Sequence, residues 1–218
     1  RLLESLLPEI ADTGLERVRV AYLQPAEMRP DLIRVIGATV GVAPYFDLSF
    51  QHASASVLRR MRRFGSAQDF LSLLEQIRAV NPRAGVRSNF IIGFPGETAA
   101  DFQILLDFLE QAQLDAVGLF TYSPEEGTEA AGFTDEVDPQ EVALRFDTAS
   151  TLVEELMSQR AEDRIGETVR VITAIGRNQF QGPEDGATRL TRPADAEVVV
   201  ARVVASEGAD LVAEMVHV

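Results

Sequence analysis

Short apolar runs alternate with longer amphipathic stretches over roughly the first 160 residues. The apolar runs predict strands at 18–23, 45–50, 86–92 and 116–122. The amphipathic stretches predict helices near 2–10, 29–40, 54–63, 67–79, 98–112 and 138–164. Asp138 and Pro139 suit the cap and first position of the last helix. Strands alternating with helices of this length indicate βαβ units and a parallel sheet of about four strands.

The pattern changes after Gly166. Further β segments are predicted at 169–174, 197–204 and 211–218, with a loop rich in Gly, Pro and Asp at 176–195 between them. Short strands with this spacing are typical of a small antiparallel β-barrel. The sequence therefore predicts an α/β fold, with one domain over 1–164 and a small β-barrel domain over 165–218.

Composition narrows the class of protein. The 218 residues carry a net charge of −14 and include no cysteine, which excludes disulfides and thiolate-bound clusters within this chain. The acidic charge argues against a general nucleic-acid binder, and it favours either a basic protein partner or simple solubility. Neither a signal peptide nor an apolar run of the roughly 20 residues that span a bilayer is visible. A cytoplasmic protein without membrane association is expected.

Each predicted parallel strand ends in a polar or turn-forming cluster, and function in such sheets lies at the carboxyl ends of the strands. The run 93–98 follows an apolar strand and opens a helix, so its glycines and amides could approach an anionic group. A tight turn with Glu97 in the first helical turn explains the same residues. His52, at another strand end, could donate a hydrogen bond or move a proton, or could be structural.

Arg87 and a separate cluster of four arginines also suggest functional roles. Alternation places Arg87, Asn89 and Ile91 on one face of a strand, where polar groups are costly unless they are paired or used. A pocket is favoured there, and a salt-bridged structural arginine is the alternative. The arginines at 59, 60, 62 and 63 could meet a carboxylate or phosphate, but cations favourable to a helix end are the stronger explanation.

These segments together resemble the radical S-adenosylmethionine (SAM) methylthiotransferases. DLSFQHAS at 47–54 with LRRMRR at 58–63 is similar to their fourth barrel strand and its helix. FIIGFPGET at 90–98 is similar to the fifth strand, which borders the SAM site, and FTYSPEEGT at 120–128 is similar to the sixth. The β segments after residue 164 resemble the TRAM module that ends these enzymes.

Three details favour the RimO branch, which methylthiolates an aspartate of a small-subunit ribosomal protein, over the MiaB branch, which modifies a tRNA adenosine. They are QHAS at 51–54, Arg87, and the pair Glu125 and Glu126 where tRNA enzymes carry a basic residue. Six arginines against eight acids over 164–218 give this module a charge of −2, which suits a basic protein better than tRNA. A tRNA methylthiotransferase and a non-catalytic protein-binding module remain the alternatives.

The resemblance implies SAM and 4Fe–4S clusters as cofactors. It places a set of side chains and turn residues against SAM or at the barrel mouth: Gln51, His52, Arg87, Asn89, Gly93, Pro95, Gly96, Glu97, Tyr122 and Ser123. Glu125 and Glu126 would face the ribosomal protein. Because the family's cluster ligands are cysteines and this sequence has none, we expect the sequence to begin within its parent enzyme and to be inactive alone.

Overall fold

The computed structural model describes residues 2–182 and 185–216. Its first part contains a three-stranded parallel sheet, β1 (Tyr45–Gln51), β2 (Gly85–Ile92) and β3 (Ala116–Thr121), in the order β1-β2-β3. Six helices accompany the sheet: α1 (Leu2–Ala11), α2 (Pro30–Ala38), α3 (Ala55–Arg60), α4 (Ala67–Val80), α5 (Ala99–Ala112) and α6 (Pro139–Asp163). The mixed α/β class and the parallel sheet predicted from the sequence are confirmed.

The first predicted strand, 18–23, does not form a regular strand. It runs beside β1 but joins it only through two isolated parallel bridges, Val18 with Val42 and Leu23 with Leu48. Between them Tyr22 has a φ of 59°, a left-handed conformation that interrupts a β-ladder. Residues 18–23, predicted as one of four parallel strands, therefore form an extended segment at the edge of a three-stranded sheet.

One face of the sheet packs against the helices and forms the main core. Phe50 from β1 and Phe90 from β2 meet Phe70 of α4 and Phe108 of α5, with ring centroids 4.3–6.4 Å apart. All four side chains are buried. Alternation along the strands puts these aromatic residues on the helical side, so the opposite face is left to Asp47, Arg87 and Asn89.

Side-chain caps define where the helices after the strands begin. The Thr98 hydroxyl accepts from the Asp101 amide while the Asp101 carboxylate accepts from the Thr98 amide, which gives α5 a complete capping box. Asp138 caps α6 and Pro139 is its first residue, as predicted. These local signals fix the helix starts close to the strand ends.

The last part of the chain forms a second sheet. Its strands are β4 (Thr168–Ile172), β5 (Arg177–Asn178), β6 (Thr188–Leu190), β7 (Val198–Glu207) and β8 (Asp210–Met215), in the order β5-β4-β7-β8-β6. Pairing is antiparallel except between β6 and β8, which are parallel. The Thr188 amide donates to the Gly176 carbonyl at 2.6 Å, which brings the two edge strands together. The final residues of the predicted segment, 217–218, lie outside the described part of the chain.

The loop between β5 and β6 and the end of α6 contact the amino-terminal ends of the parallel strands. Tyr45, the first residue of β1, donates its hydroxyl proton to Asp185 at 2.8 Å. Asp115, just before β3, accepts from Arg164 at 2.5 Å and from Arg160 at 3.1 Å. The two sheets have separate hydrophobic clusters. The domain boundary at residue 164 stays a prediction. The carboxyl ends of β1–β3 lie away from these contacts.

Within residues 2–182 and 185–216, none of the helices has the length and apolar character of a membrane span. Nor do three or more His, Asp or Glu side chains come together in those ranges in a way that could hold a metal ion.

Candidate functional site

The parallel register brings several predicted site residues to one edge of the sheet. Gln51 ends β1, Gly93 follows β2, and Tyr122 follows β3, with the Tyr122 amide donating to the Ile92 carbonyl at 2.8 Å. Because the strands are parallel, their carboxyl ends share this edge. The structure therefore places the three strand-end motifs side by side.

A polar network covers the inner face of the sheet behind this edge. Arg87 donates to the Asp47 carboxylate at 3.0 Å and to the Asn89 side-chain oxygen at 2.9 Å. Arg87 is 7% exposed, so the ion pair is largely shielded from water. A Cβ at Gly118 would lie 2.3 Å from the Asn89 oxygen, which explains why that neighbouring position carries glycine. Both interpretations of Arg87 thus have a physical basis, because it is salt-bridged and also lines the inner face.

Glu97 is buried below the turn after β2. One carboxylate oxygen accepts from the Gly93 amide at 3.0 Å, and the other accepts from Arg145 of α6 at 2.7 Å. Burial alone would raise the pKa of Glu97, but the His52 ring and the hydrogen bond from Arg145 outweigh burial and hold that pKa below its ordinary value. Glu97 therefore ties the turn to α6 as a buried carboxylate.

His52 is fully buried beside Glu97. Its Nδ1 accepts the Ser54 amide proton at 2.9 Å, so the proton of the neutral ring lies on Nε2, which is 3.4 Å from Glu97. In this arrangement His52 supports the end of β1 and the turn after β2 from within. Its role against SAM, like that of Glu97, stays a prediction.

The glycines of the turn make room for the chain itself. A Cβ at Gly93 would lie 2.5 Å from Val142, and one at Gly96 would lie 2.7 Å from Asp135 and 2.8 Å from Arg60. The Gly96 amide donates to the Asp135 carbonyl at 2.8 Å. The segment after β3 thus covers the turn. Packing within the chain is enough to explain why these two positions are glycine, without a ligand approaching them closely. Pro95 is buried, and its carbonyl accepts from Arg60.

A cavity of about 410 Å³ opens at the carboxyl edge of the sheet. Its walls come from the ends of β1 and β2, the end of α3 and the segment after β3: Gln51, Arg60, Met61, Arg62, Arg63, Ile91, Phe94, Thr128, Glu129 and Ala130. A cavity of this size falls within the range typical of small-molecule sites. We call it the mouth pocket.

Some predicted residues flank the mouth pocket without lining it. The Tyr122 ring packs edge-on against Phe94 with centroids 5.1 Å apart, and its buried hydroxyl has no hydrogen-bond partner within the described residues. Ser123, Glu125 and Glu126 are exposed on the segment after β3.

Conversely, the three arginines at the end of α3 do line the pocket, although the sequence favoured a solvated helix end. The arginine-rich motif was visible in the sequence, but its position relative to the strand ends was not. Phe94 of the turn motif also lies in the pocket wall, a position that its place in the sequence does not indicate.

A parallel α/β sheet with helices on one face and a pocket at the carboxyl ends of its strands defines the class of fold. The same fold occurs in coproporphyrinogen III oxidase (HemN) from Escherichia coli, a radical SAM enzyme, with a TM-score of 0.55 and 20% identity. That likeness covers 73% of this chain and 36% of the solved one. The two chains therefore share a fold over this region.

Sequence comparison identifies the family within that class. The chain matches no family model. It is 58% identical over 224 residues to the ribosomal protein uS12 methylthiotransferase RimO of Saccharopolyspora erythraea, and 56% identical over 227 residues to that of Streptomyces avermitilis. These matches cover 97% and 98% of this chain but 46% of each relative, so the chain spans about half the length of the curated relatives it matches. The chain belongs to the RimO family of radical SAM methylthiotransferases.

Proposed function

We propose that this chain is part of an enzyme that adds a methylthio group to the β-carbon of an aspartate in the small-subunit ribosomal protein uS12. The observation that carries the proposal is identity of 52–58% over almost the whole chain to eight proteins named uS12 methylthiotransferases. The radical SAM fold and the mouth pocket support the same chemistry. The net charge of −14 suits a basic ribosomal protein as substrate.

The residues around the mouth pocket fit SAM in size and chemistry. The orphaned Tyr122 hydroxyl can bind a polar group, Gln51 offers an amide, and Ile91 and Phe94 offer apolar surface. Arg87 and Asn89 would line the inner face next to the cofactor. When bound, SAM would supply the methyl group from one molecule and the carbon radical that the reaction needs from a second. The buried His52 and Glu97 would keep the strand ends in place around it.

Iron–sulfur clusters do not fit the residues of this chain. The sequence contains no cysteine, and no group of His, Asp and Glu in the described ranges could replace the thiolates. The proposed function therefore requires cluster ligands outside these 218 residues. Within the chain, the proposal concerns the walls of the SAM site and the approach of the protein substrate, where the exposed Glu125 and Glu126 would meet a basic surface.

The direct test uses the full-length protein that contains this sequence. It is purified without oxygen, its clusters are reconstituted, and it is incubated with SAM, a reductant, a sulfide source and either uS12 or tRNA. We expect uS12 to gain the mass of one methylthio group on an aspartate, and tRNA to stay unmodified. Modification of tRNA in place of uS12 would show a tRNA methylthiotransferase instead.

A substitution tests the predicted SAM contact. Arg87→Ala in the full-length protein should weaken SAM binding about tenfold, because it removes a buried guanidinium and frees Asp47 and Asn89. Arg59→Ala is the matched control, since Arg59 is exposed at the end of α3 and, among the described residues, its side chain donates only to the Ala55 carbonyl. Equal dissociation constants for SAM in both variants would remove Arg87 from the cofactor site.

A further inference from the structure

Arg63 lies where the end of α3 meets the end of β1. Its guanidinium donates to the Ser49 carbonyl and to the Gln24 side-chain oxygen, both at 3.2 Å. The side chain is half-buried and lines the mouth pocket. It also lines a second cavity of about 140 Å³ beside it, so it stands between the two.

The charge of Arg63 is not neutralised by the described part of the chain. Both of its acceptors are neutral oxygens, and it forms no ion pair with a described carboxylate. Two nearby arginines, in contrast, have carboxylate partners: Arg60 pairs with Asp135 at 2.7 Å, and Arg62 pairs with Glu129. Burial lowers the pKa of Arg63. A half-buried cation without a counterion is costly, and an anionic ligand in the adjoining pocket would offset that cost.

The surroundings of Arg63 favour a protein ligand. Phe64 is 85% exposed and lines the second cavity together with Arg62 and Arg63. Exposed aromatic side chains next to arginines are the composition that protein-binding surfaces favour. The net charge of the chain would attract a basic protein at long range, while Arg63 offers a local partner for one acidic side chain.

We propose that Arg63 binds the carboxylate of the substrate aspartate and so selects the residue that is modified. The inference rests on the proposed function and deepens it. A planar guanidinium can hold both oxygens of a carboxylate, and asparagine would offer it only one neutral oxygen. The carboxylate of the methionine part of SAM has the same chemistry, so the experiment must separate these two sources.

The test compares variants of the full-length protein in binding to uS12 and to a uS12 variant with asparagine at the modified position. Wild type should prefer aspartate by about tenfold, and Arg63→Gln should lose that preference while its dissociation constant for SAM stays within about twofold. Arg63→Lys keeps the positive charge but lacks the planar guanidinium that can donate to both carboxylate oxygens, so it should retain part of the preference for aspartate. Arg59→Gln, which changes an exposed arginine outside both cavities, should behave as wild type.

Two results would overturn the assignment. An intact preference for aspartate in Arg63→Gln would do so, and weaker SAM binding with that preference intact would assign Arg63 to the SAM carboxylate instead. If Arg63→Gln does not fold, Arg63→Lys decides, because an unchanged preference together with weakened SAM binding rejects the proposal. Failure of wild type to modify uS12 at all would count against the proposed function, and the binding preference would still report on Arg63 separately.

Discussion

Asp115 joins the parallel sheet to the carboxyl-terminal end of α6, and its removal should be strongly destabilising. One oxygen accepts from Arg164 and Arg160, and the other accepts from the Val86 amide at 2.8 Å. The Asp115 and Arg164 side chains are each 6% exposed. Asp115→Ala would leave a buried guanidinium with only the more distant Glu167 at 3.4 Å as a charged partner, and Val86 without its acceptor.

Breaking a buried ion pair from one side costs about 3–5 kcal/mol. For a chain of this size 1 kcal/mol corresponds to roughly 2–4 °C, so Asp115→Ala should lower the melting temperature by about 10 °C. Circular dichroism during thermal and urea unfolding of the 218-residue chain measures this. Glu75→Ala, at an exposed position of α4, is the control and should change the melting temperature by less than about 2 °C. Equal melting temperatures for the two variants would refute the proposed role of Asp115 in joining the parallel sheet to α6.

Two further changes test the inner face and the turn. Gly118→Ala should destabilise the chain by about 1–3 kcal/mol in urea unfolding because its Cβ would collide with Asn89, whereas Gly132→Ala, with open space around it, should be nearly neutral; equal effects would contradict the packing argument. Glu97→Gln should lower the free energy of unfolding at pH 7. It should also make that free energy decrease less steeply as the pH falls. Because the pKa of Glu97 is lowered, its charged carboxylate stabilises the fold above the ordinary value of 4.5, and that stability is lost as the pH falls. Glu136 is exposed and serves as the control, so a stability profile of Glu97→Gln that runs parallel to that of Glu136→Gln between pH 3 and 7 would contradict this.

Local signals were sufficient to predict much of the fold. Asp138 and Pro139 start α6 where their capping chemistry indicated, and alternation placed Arg87 and Asn89 on one face of β2. Both inferences depend on residues close in sequence. The apolar run at 18–23 failed as a strand because the conformation of Tyr22 depends on contacts with β1, including the bond from its amide to Asp47 at 3.2 Å.

The candidate site depended on contacts between residues far apart in sequence. Nothing local to Gly96 indicated that Asp135 and Arg60 would fill the space above it. The arginines of α3 looked like a favourable helix end, and only the packing of the segment after β3 shows that they enclose a pocket. The short strands β5 and β6 lie in a Gly- and Pro-rich region, where their pairing is set by β4 and β8.

The most direct test of the account is the mass of uS12 itself. The protein would be isolated from ribosomes of the organism that carries this sequence and from a strain in which the gene encoding it is deleted. We predict that uS12 from the intact strain carries a methylthio group on one aspartate and that uS12 from the deletion strain lacks it. Identical masses of uS12 in the two strains would contradict the proposed function.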